Sequence, residues 1–214
     1  MNYLAHMVVG AQAGLDDLGV LGNFIGDAVK GRDVEAQWGP AVSLGIRLHR
    51  SIDDVSDRHA ASNEARALLR HDCGKWSGVV WDVLVDHVLA SEFHALHGVE
   101  PSLEVFCEEQ QGVLDRHRHL MPERSQRFFD AMIKHGWLIG YRDGETVDAV
   151  LQAMSRRRES AGPVACGWKA FCREEEALRE MARALIHDMA QWGQGQNTVS
   201  LVSPHLQAMR SASI

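Results

Sequence analysis

Histidines and aspartates interrupt four otherwise apolar stretches of the sequence, and these residue types bind divalent cations. His6 is the only side chain of NYLAHMVV that titrates near neutral pH, and Asp27 carries the only charge of LGVLGNFIGDAV. His49 and Asp53 lie four residues apart in GIRLHRSIDD, and VVWDVLVDHVLA contains three further candidates: Asp82, Asp86 and His87. A buried carboxylate without a partner is very costly, so several of them close together favour a shared cation.

The spacing of these residues along the predicted helices indicates that some of their side chains can approach one shared cation. Side chains at positions i and i+4 of a helix lie on one face, ~6 Å apart, so His49 can act with Asp53, and Asp82 with Asp86. Mixed histidine and aspartate ligands without cysteine suit Mn²⁺, Fe²⁺, Zn²⁺ or Mg²⁺, and oxygen-rich sets favour Mn²⁺ and Mg²⁺. A cation with an open coordination position would lower the pKa of a bound water molecule and turn it into a nucleophile for phosphorus.

Each of these residues also has an ordinary structural interpretation. A single histidine in an apolar helix, such as His6, often only bonds to a backbone carbonyl, and Asp27 could cap a neighbouring helix. The acidic pair of the third stretch could form a solvated face with nearby arginines, that is, Asp53 and Asp54 with Arg47 or Arg50. The metal hypothesis rests on the same anomaly in four separate stretches.

A run of three arginines, Arg156 to Arg158, follows the apolar sequence AVLQAM and Ser155. Cations complement the dipole at a helix C-terminus, so a solvated helix end explains the run by itself. Arginine is also the residue best suited to bidentate contact with phosphate, which makes the run a candidate anion site.

Helical periodicity extends through most of the chain and indicates the elements that must position these residues. Four predicted helices carry the candidates: 2–13, 17–30, 40–57 and 76–97. No Asn-Gly or Asp-Gly turn joins two alternating runs, so we expect no hairpin. We predict an all-α, single-domain helical bundle of about eight or nine helices over residues 1–192. The polar, small-residue-rich segment 193–214 predicts a mobile tail.

Composition excludes several classes of protein. The 214 residues suit one domain, and the net charge of −7, from 29 acidic and 22 basic residues, argues against a nucleic-acid-binding protein. The first residues lack a positive region and a long apolar run, so we expect neither a signal peptide nor a membrane segment. The four cysteines form no CxxC pair. This pattern predicts reduced thiols in a cytoplasmic protein.

Five sequence blocks, in this order and spacing, are similar to the acyl carrier protein phosphodiesterase family: MNYLAH, GNFIGDAVKG, GIRLHRSIDDVSD, WDVLVDH and MSRRR. The resemblance covers roughly residues 1–192. It implies an all-α fold distantly related to the HD-domain metal-dependent phosphohydrolases. It also implies removal of 4'-phosphopantetheine from holo-acyl carrier protein, which leaves the apo protein, with Mn²⁺ as the preferred metal and Mg²⁺ or Fe²⁺ as possible substitutes.

The resemblance further implies roles for individual residues. The metal ligands or near-ligands would be His6, Asp27, His49, Asp53, Asp86 and His87. Catalytic roles are expected for Asp27, for His87 as ligand or general acid, and for Asp82, which would orient a histidine. The pair Asp86-His87 reverses the His-Asp order that names the HD superfamily. The expected contacts with phosphate or with the acidic carrier protein come from three arginines: Arg50, Arg156 and Arg157.

Two other functions fit the same residues. A related metal phosphohydrolase would act on a nucleotide or another small phosphodiester. A non-catalytic helical protein would use the histidines and aspartates as core hydrogen-bonding groups or as a structural metal site, whose removal unfolds the chain.

Overall fold

Helices make up nearly all of the computed structural model, which describes residues 1–98 and 100–196. Within those ranges there are twelve α-helices and no β-strand. The helices are Tyr3–Gln12 (α1), Asp17–Ile25 (α2), Glu35–Arg58 (α3), Ala60–Cys73 (α4), Ser77–Ser91 (α5), Phe93–Leu96 (α6), Leu103–Arg116 (α7), Glu123–Lys134 (α8), Trp137–Gly140 (α9), Gly144–Ser155 (α10), Gly167–Arg173 (α11) and Glu175–Gly195 (α12). Nine of these have nine or more residues, so the predicted all-α class and number of helices are confirmed.

Helices α1 and α5 form the centre of the bundle. Residues 4–10 of α1 are all buried, and so are residues 83–90 of α5. A helix that is apolar on every side must be surrounded by others. Helix α1 accordingly packs against α2, α3, α5 and α12. The few polar side chains of α1 and α5 therefore have to find their partners inside the protein.

Helices α2 and α3 approach each other closely at two glycines. A Cβ atom on Gly22 would lie 2.0 Å from the carbonyl oxygen of Val42, and one on Gly45 would lie 1.9 Å from that of Gly19. Only glycine permits backbones to approach in this way. The contact brings the end of α2, with Asp27, close to the middle of α3, with His49 and Asp53.

Some boundaries differ from those that the periodicity predicts. Helix α3 begins at Glu35, and a break at Gly39 (φ +72°) separates its first turn from the part that begins at Pro40. The long segment 76–97 divides at Glu92, whose carboxylate binds Arg179 and Arg183 of α12 at 3.1 and 2.6 Å. Helix α12 runs to Gly195, and residues 197–214 of the predicted tail lie outside the described residues.

No helix within the described ranges combines the length and the apolar character needed to cross a lipid bilayer.

Candidate metal centre

Two histidines and an aspartate from two helices converge at one point. Asp53 lies between the rings, with Oδ1 3.0 Å from Nε2 of His6 and Oδ2 3.3 Å from Nε2 of His49. The two imidazoles stack with their centroids 4.2 Å apart. One ligand atom from each of the three residues lies within 4.8 Å of the others. The sequence spacing predicted the pair on α3, and the burial of α1 brings His6 to it.

Asp27 completes the group from the turn that follows α2. Its Oδ1 lies 3.3 Å from Nε2 of His49, and its side chain is 71% exposed. The preceding residue, Gly26, has no Cβ, and one placed there would lie 2.4 Å from the His49 ring. The glycine therefore lets the turn pass over the imidazole, so that Asp27 presents a carboxylate from the solvent side.

Behind the histidines, four buried polar atoms have no hydrogen-bond partner in the described part of the chain. They are Nδ1 of His6, Nδ1 of His49, Oδ1 of Asn23 and Oε1 of Gln110, and their residues line one small cavity. Metal-binding histidines generally donate their second N–H to an oxygen acceptor, which fixes the tautomer and the ring. Both Nε2 atoms contact Asp53, so these are the nitrogens that would bind a cation. The two Nδ1 atoms and the two amide oxygens share one small cavity and supply the donors and acceptors that such an arrangement needs. The donor set thus fits a divalent metal.

The protonation states also suit metal binding. Burial lowers the pKa of His6 to about 4, so its ring is neutral at neutral pH. The hydrogen bond to His49 lowers the pKa of Asp27. Burial acts to raise the pKa of Asp53, but its contacts with His6 and His49 outweigh this and lower it. Neutral imidazoles and ionised carboxylates are the forms that bind metal ions.

The lowered pKa of His6 predicts a loss of stability in acid. Between pH 6.5 and about 4 the unfolded chain takes up a proton at His6 that the folded chain does not bind. The free energy of unfolding of the EDTA-treated protein should therefore fall as pH falls through this window, by up to roughly 3 kcal/mol from this group. Urea titrations across the window should give a shallower pH dependence for His6→Gln. An identical pH dependence of the free energy of unfolding in both proteins would contradict the lowered pKa of His6.

Asp86, on α5, lies outside this cluster, and its carboxylate contacts the N-terminus of α1. Its two carboxylate oxygens accept hydrogen bonds from the backbone N–H groups of Leu4, at 2.9 Å, and Ala5, at 3.0 Å. The first turn of a helix has free N–H groups, and a carboxylate satisfies them and complements the helix dipole. Burial raises the pKa of Asp86 to about 7, although the two N–H donors act in the opposite direction. The carboxylate thus anchors the helix that carries His6.

His87 also lies outside the cluster, on another side of α5. Its Nδ1 is 2.8 Å from the carbonyl oxygen of Tyr141, and its Nε2 is 3.3 Å from the guanidinium of Arg179. The ring meets Trp168 and Phe171 edge-on, each at 5.2 Å. Burial lowers its pKa, which is consistent with a neutral ring that donates to the carbonyl and accepts from the arginine.

Asp82 binds the amino group of Met1 at 3.0 Å and lines a large cavity beside the cluster. This cavity has a volume of about 830 Å³ and reaches the metal centre through Asp27. Both Arg156 and Arg157 are exposed, and of the two only Arg157 lines the cavity. The structure therefore places two of the predicted polar groups, Asp82 and Arg157, beside the centre.

Arg50, predicted to bind substrate, holds the segment after Asp27. Its guanidinium donates to the carbonyl oxygens of Val29, at 3.0 Å, and Gly31, at 2.9 Å. Charge-assisted hydrogen bonds to two carbonyls restrain a turn strongly. The restrained carbonyls lie two and four residues after Asp27, whose carboxylate is 3.3 Å from Nε2 of His49.

Removing this restraint should weaken metal binding. Arg50→Met keeps an unbranched side chain with an apolar stem and loses both hydrogen bonds, so we expect about a tenfold loss of Mn²⁺ affinity, as for other groups that support ligands. The control is Arg47→Met on the same helix, where the arginine only pairs with the exposed Glu35 and should matter little. Calorimetric titration with Mn²⁺ measures both variants, and equal affinities would contradict the role of Arg50.

Asn23 and Gln110 are functional candidates that the sequence reasoning missed. Asn23 is the only amide in the apolar run LGVLGNFIG, and its Nδ2 donates to the carbonyl oxygen of His6 at 2.7 Å. The position of Asn23 in this apolar run was the sequence feature that could have identified it as a candidate. Gln110 stands among other polar residues of α7 and gave none.

Known proteins similar to this chain agree with the resemblance in the sequence blocks. The family model described as acyl carrier protein phosphodiesterase matches residues 1–189. The acyl carrier protein phosphodiesterase of Photorhabdus laumondii is 32% identical over 157 residues, 73% of this chain and 77% of the relative. The protein of the same name from Escherichia coli O6:H1 is 30% identical over 171 residues, 78% and 84% of the two chains. No solved structure gives a significant match. From the extent of these matches, the chain belongs to the acyl carrier protein phosphodiesterase family.

Proposed function

We propose that this protein is a metal-dependent phosphodiesterase that removes 4'-phosphopantetheine from holo-acyl carrier protein in the cytoplasm. The reaction is hydrolysis of the phosphodiester that joins the prosthetic arm to a serine of the carrier. The carrying observation is the cluster of His6, His49 and Asp53 beside a large cavity. The names of the relatives support the substrate.

The metal-binding set in this proposal is His6, Asp27, His49 and Asp53. Two imidazoles with two carboxylates suit Mn²⁺, with Mg²⁺ or Fe²⁺ as alternatives. When bound, the cation would polarise the phosphoryl oxygens and lower the pKa of water. Asp86 is left out of this set because both of its oxygens already accept backbone N–H groups.

Side chains of the protein would supply the proton acceptor and the groups that stabilise charge on the phosphate. Asp27 is the most exposed carboxylate of the set, and its outer oxygen would accept a proton from the attacking water. The departing serine oxygen would take up a proton from solvent, so that the carrier leaves with a free hydroxyl group. Arg157 would bind non-bridging phosphoryl oxygens and stabilise their charge. His87 remains outside the proposed chemistry because both ring nitrogens have partners.

The test is a reaction of the purified protein with holo-acyl carrier protein and Mn²⁺, followed by intact-mass spectrometry of the carrier. The expected result is loss of the phosphopantetheine mass, with no loss after EDTA treatment. An unchanged carrier in the presence of folded, metal-loaded protein would overturn the substrate. The same protein would then be tested on nucleotides and other small phosphodiesters.

A further inference from the structure

One wall of the cavity beside the metal centre is a continuous row of aromatic rings. Tyr3 stacks on Phe128 with centroids 4.3 Å apart, and Phe128 lies 5.6 Å from Trp137. Phe24 adjoins Tyr3 at 5.5 Å and links the row to α2, which ends beside the metal centre. These rings come from four different helices, so they form a fixed apolar surface rather than one mobile side chain.

A single face of α10 lines the same cavity. The lining residues recur at helical spacing over three turns: Thr146, Ala149, Val150, Ala153 and Met154. Positions i, i+3, i+4, i+7 and i+8 share one side of a helix. Ala149 and Ala153 are exposed although they line the cavity. Their small side chains therefore leave the space open.

The charge of the cavity is opposite in sign to that of the whole chain. Three cationic side chains line it, namely Lys30, Arg124 and Arg157, against two carboxylates, Asp27 and Asp82. Asp82 is already paired with the amino group of Met1. Arg124, Arg157 and Asp27 line this cavity together with Tyr3. A chain of net charge −7 thus has a cavity whose lining carries more cationic than anionic side chains.

We propose that this cavity receives the 4'-phosphopantetheine arm, with its phosphate at Lys30, Arg124 and Arg157 and its chain between the aromatic row and α10. The inference rests on the proposed function. A phosphopantetheine chain combines a phosphate, two methyl groups, two amides and a thiol, so it needs cations at one end and mixed walls beyond. The cavity volume of about 830 Å³ lies within the roughly 300–1,000 Å³ typical of small-molecule sites.

Filling the space from α10 tests the inference. Leucine is a good helix former, and Ala149 and Ala153 are exposed, so Ala149→Leu and Ala153→Leu should fold. The probe is free 4'-phosphopantetheine, titrated into the Mn²⁺-loaded protein by calorimetry. We expect each variant to lose at least about tenfold in affinity for the probe, and the KM for holo-acyl carrier protein to rise by a similar factor. Mn²⁺ affinity should not change, because neither alanine adjoins a ligand.

The matched control is Ala67→Leu, at an exposed alanine of α4 outside the cavity lining. It should bind the probe like the unaltered protein. Full probe affinity and unchanged KM in both cavity variants would overturn the cavity assignment while the phosphodiesterase activity stands. Equal affinity of the unaltered protein for 4'-phosphopantetheine and adenosine monophosphate would overturn the choice of ligand. Failure of the unaltered protein to hydrolyse the holo carrier would overturn the proposed function instead.

Discussion

Asp53→Asn should abolish phosphodiesterase activity and lower Mn²⁺ affinity at least a hundredfold. Within the described part of the chain, Asp53 is the residue whose two oxygens reach both histidines, so its carboxylate would be the shared oxygen donor of the centre. Asparagine has the same shape but no charge, and its amide nitrogen cannot bind a cation. The fold should survive, because the side chain is 42% exposed and asparagine fills the same volume. Mn²⁺ calorimetry, activity on the holo carrier and circular dichroism separate these effects.

The neighbouring residue provides the matched control. Asp54 lies on the same helix, and its carboxylate pairs with Arg58 at the surface. Asp54→Asn removes the same charge from the next position and should leave Mn²⁺ affinity and activity within about twofold of their original values. Retention of full metal affinity by Asp53→Asn, or an equal loss in Asp54→Asn, would refute the proposed centre.

Gly45→Ala should be among the most destabilising single substitutions in the chain. The added Cβ would lie 1.9 Å from the carbonyl oxygen of Gly19 and 2.6 Å from the backbone nitrogen of Asn23. Both neighbours belong to the backbone of α2, so no side chain can rotate away and the helices must separate. Overpacking of a core usually costs ~1–3 kcal/mol, and a backbone clash should reach or exceed the upper value. Urea denaturation at constant pH measures the loss.

A second glycine shows what the same change does without a clash. Gly112 lies inside α7, and a Cβ there would meet only a flexible arginine end at 3.7 Å. Gly112→Ala should stabilise the protein by about 0.5–1 kcal/mol, because alanine favours the helix. Similar effects in both variants would show that the α2–α3 contact does not constrain the fold. The Gly45 variant should also bind Mn²⁺ more weakly, since separation of these helices moves Asp27 from His49.

The sequence predicted contacts between residues that lie one helical turn apart on the same helix. His49 and Asp53 are four residues apart, and helical geometry alone brings them to one face. His6 and Asp27 were detected as polar groups in apolar segments, which must find partners in the core. The i, i+4 spacing of Asp82 and Asp86 carried the same signal, yet these carboxylates face an amino group and a helix N-terminus. Which helix end lies opposite a side chain depends on long-range packing, and the spacing of residues along one helix carries no information about that packing.

The cavity was likewise beyond the reach of the sequence pattern. Its lining combines residues near the start of the chain, such as Tyr3 and Phe24, with residues of α8, α9 and α10 more than 100 positions later, and it includes two exposed alanines. Alanines on a helix face indicate only that the position is small. Whether a neighbouring helix packs onto them or leaves a space depends on larger side chains from other helices, such as Phe128 and Trp137, which line the same cavity.

The carboxylate of Asp86 has a consequence for amide hydrogen exchange. The first N–H groups of a helix normally exchange rapidly with solvent because the helix end frays. The amides of Leu4 and Ala5 are instead bonded to a side chain 82 and 81 residues away, on α5. They should exchange only in openings that separate α1 from α5, at rates like those in the middle of α5. The backbone amides beside His6 would then be protected from exchange until the whole protein unfolds.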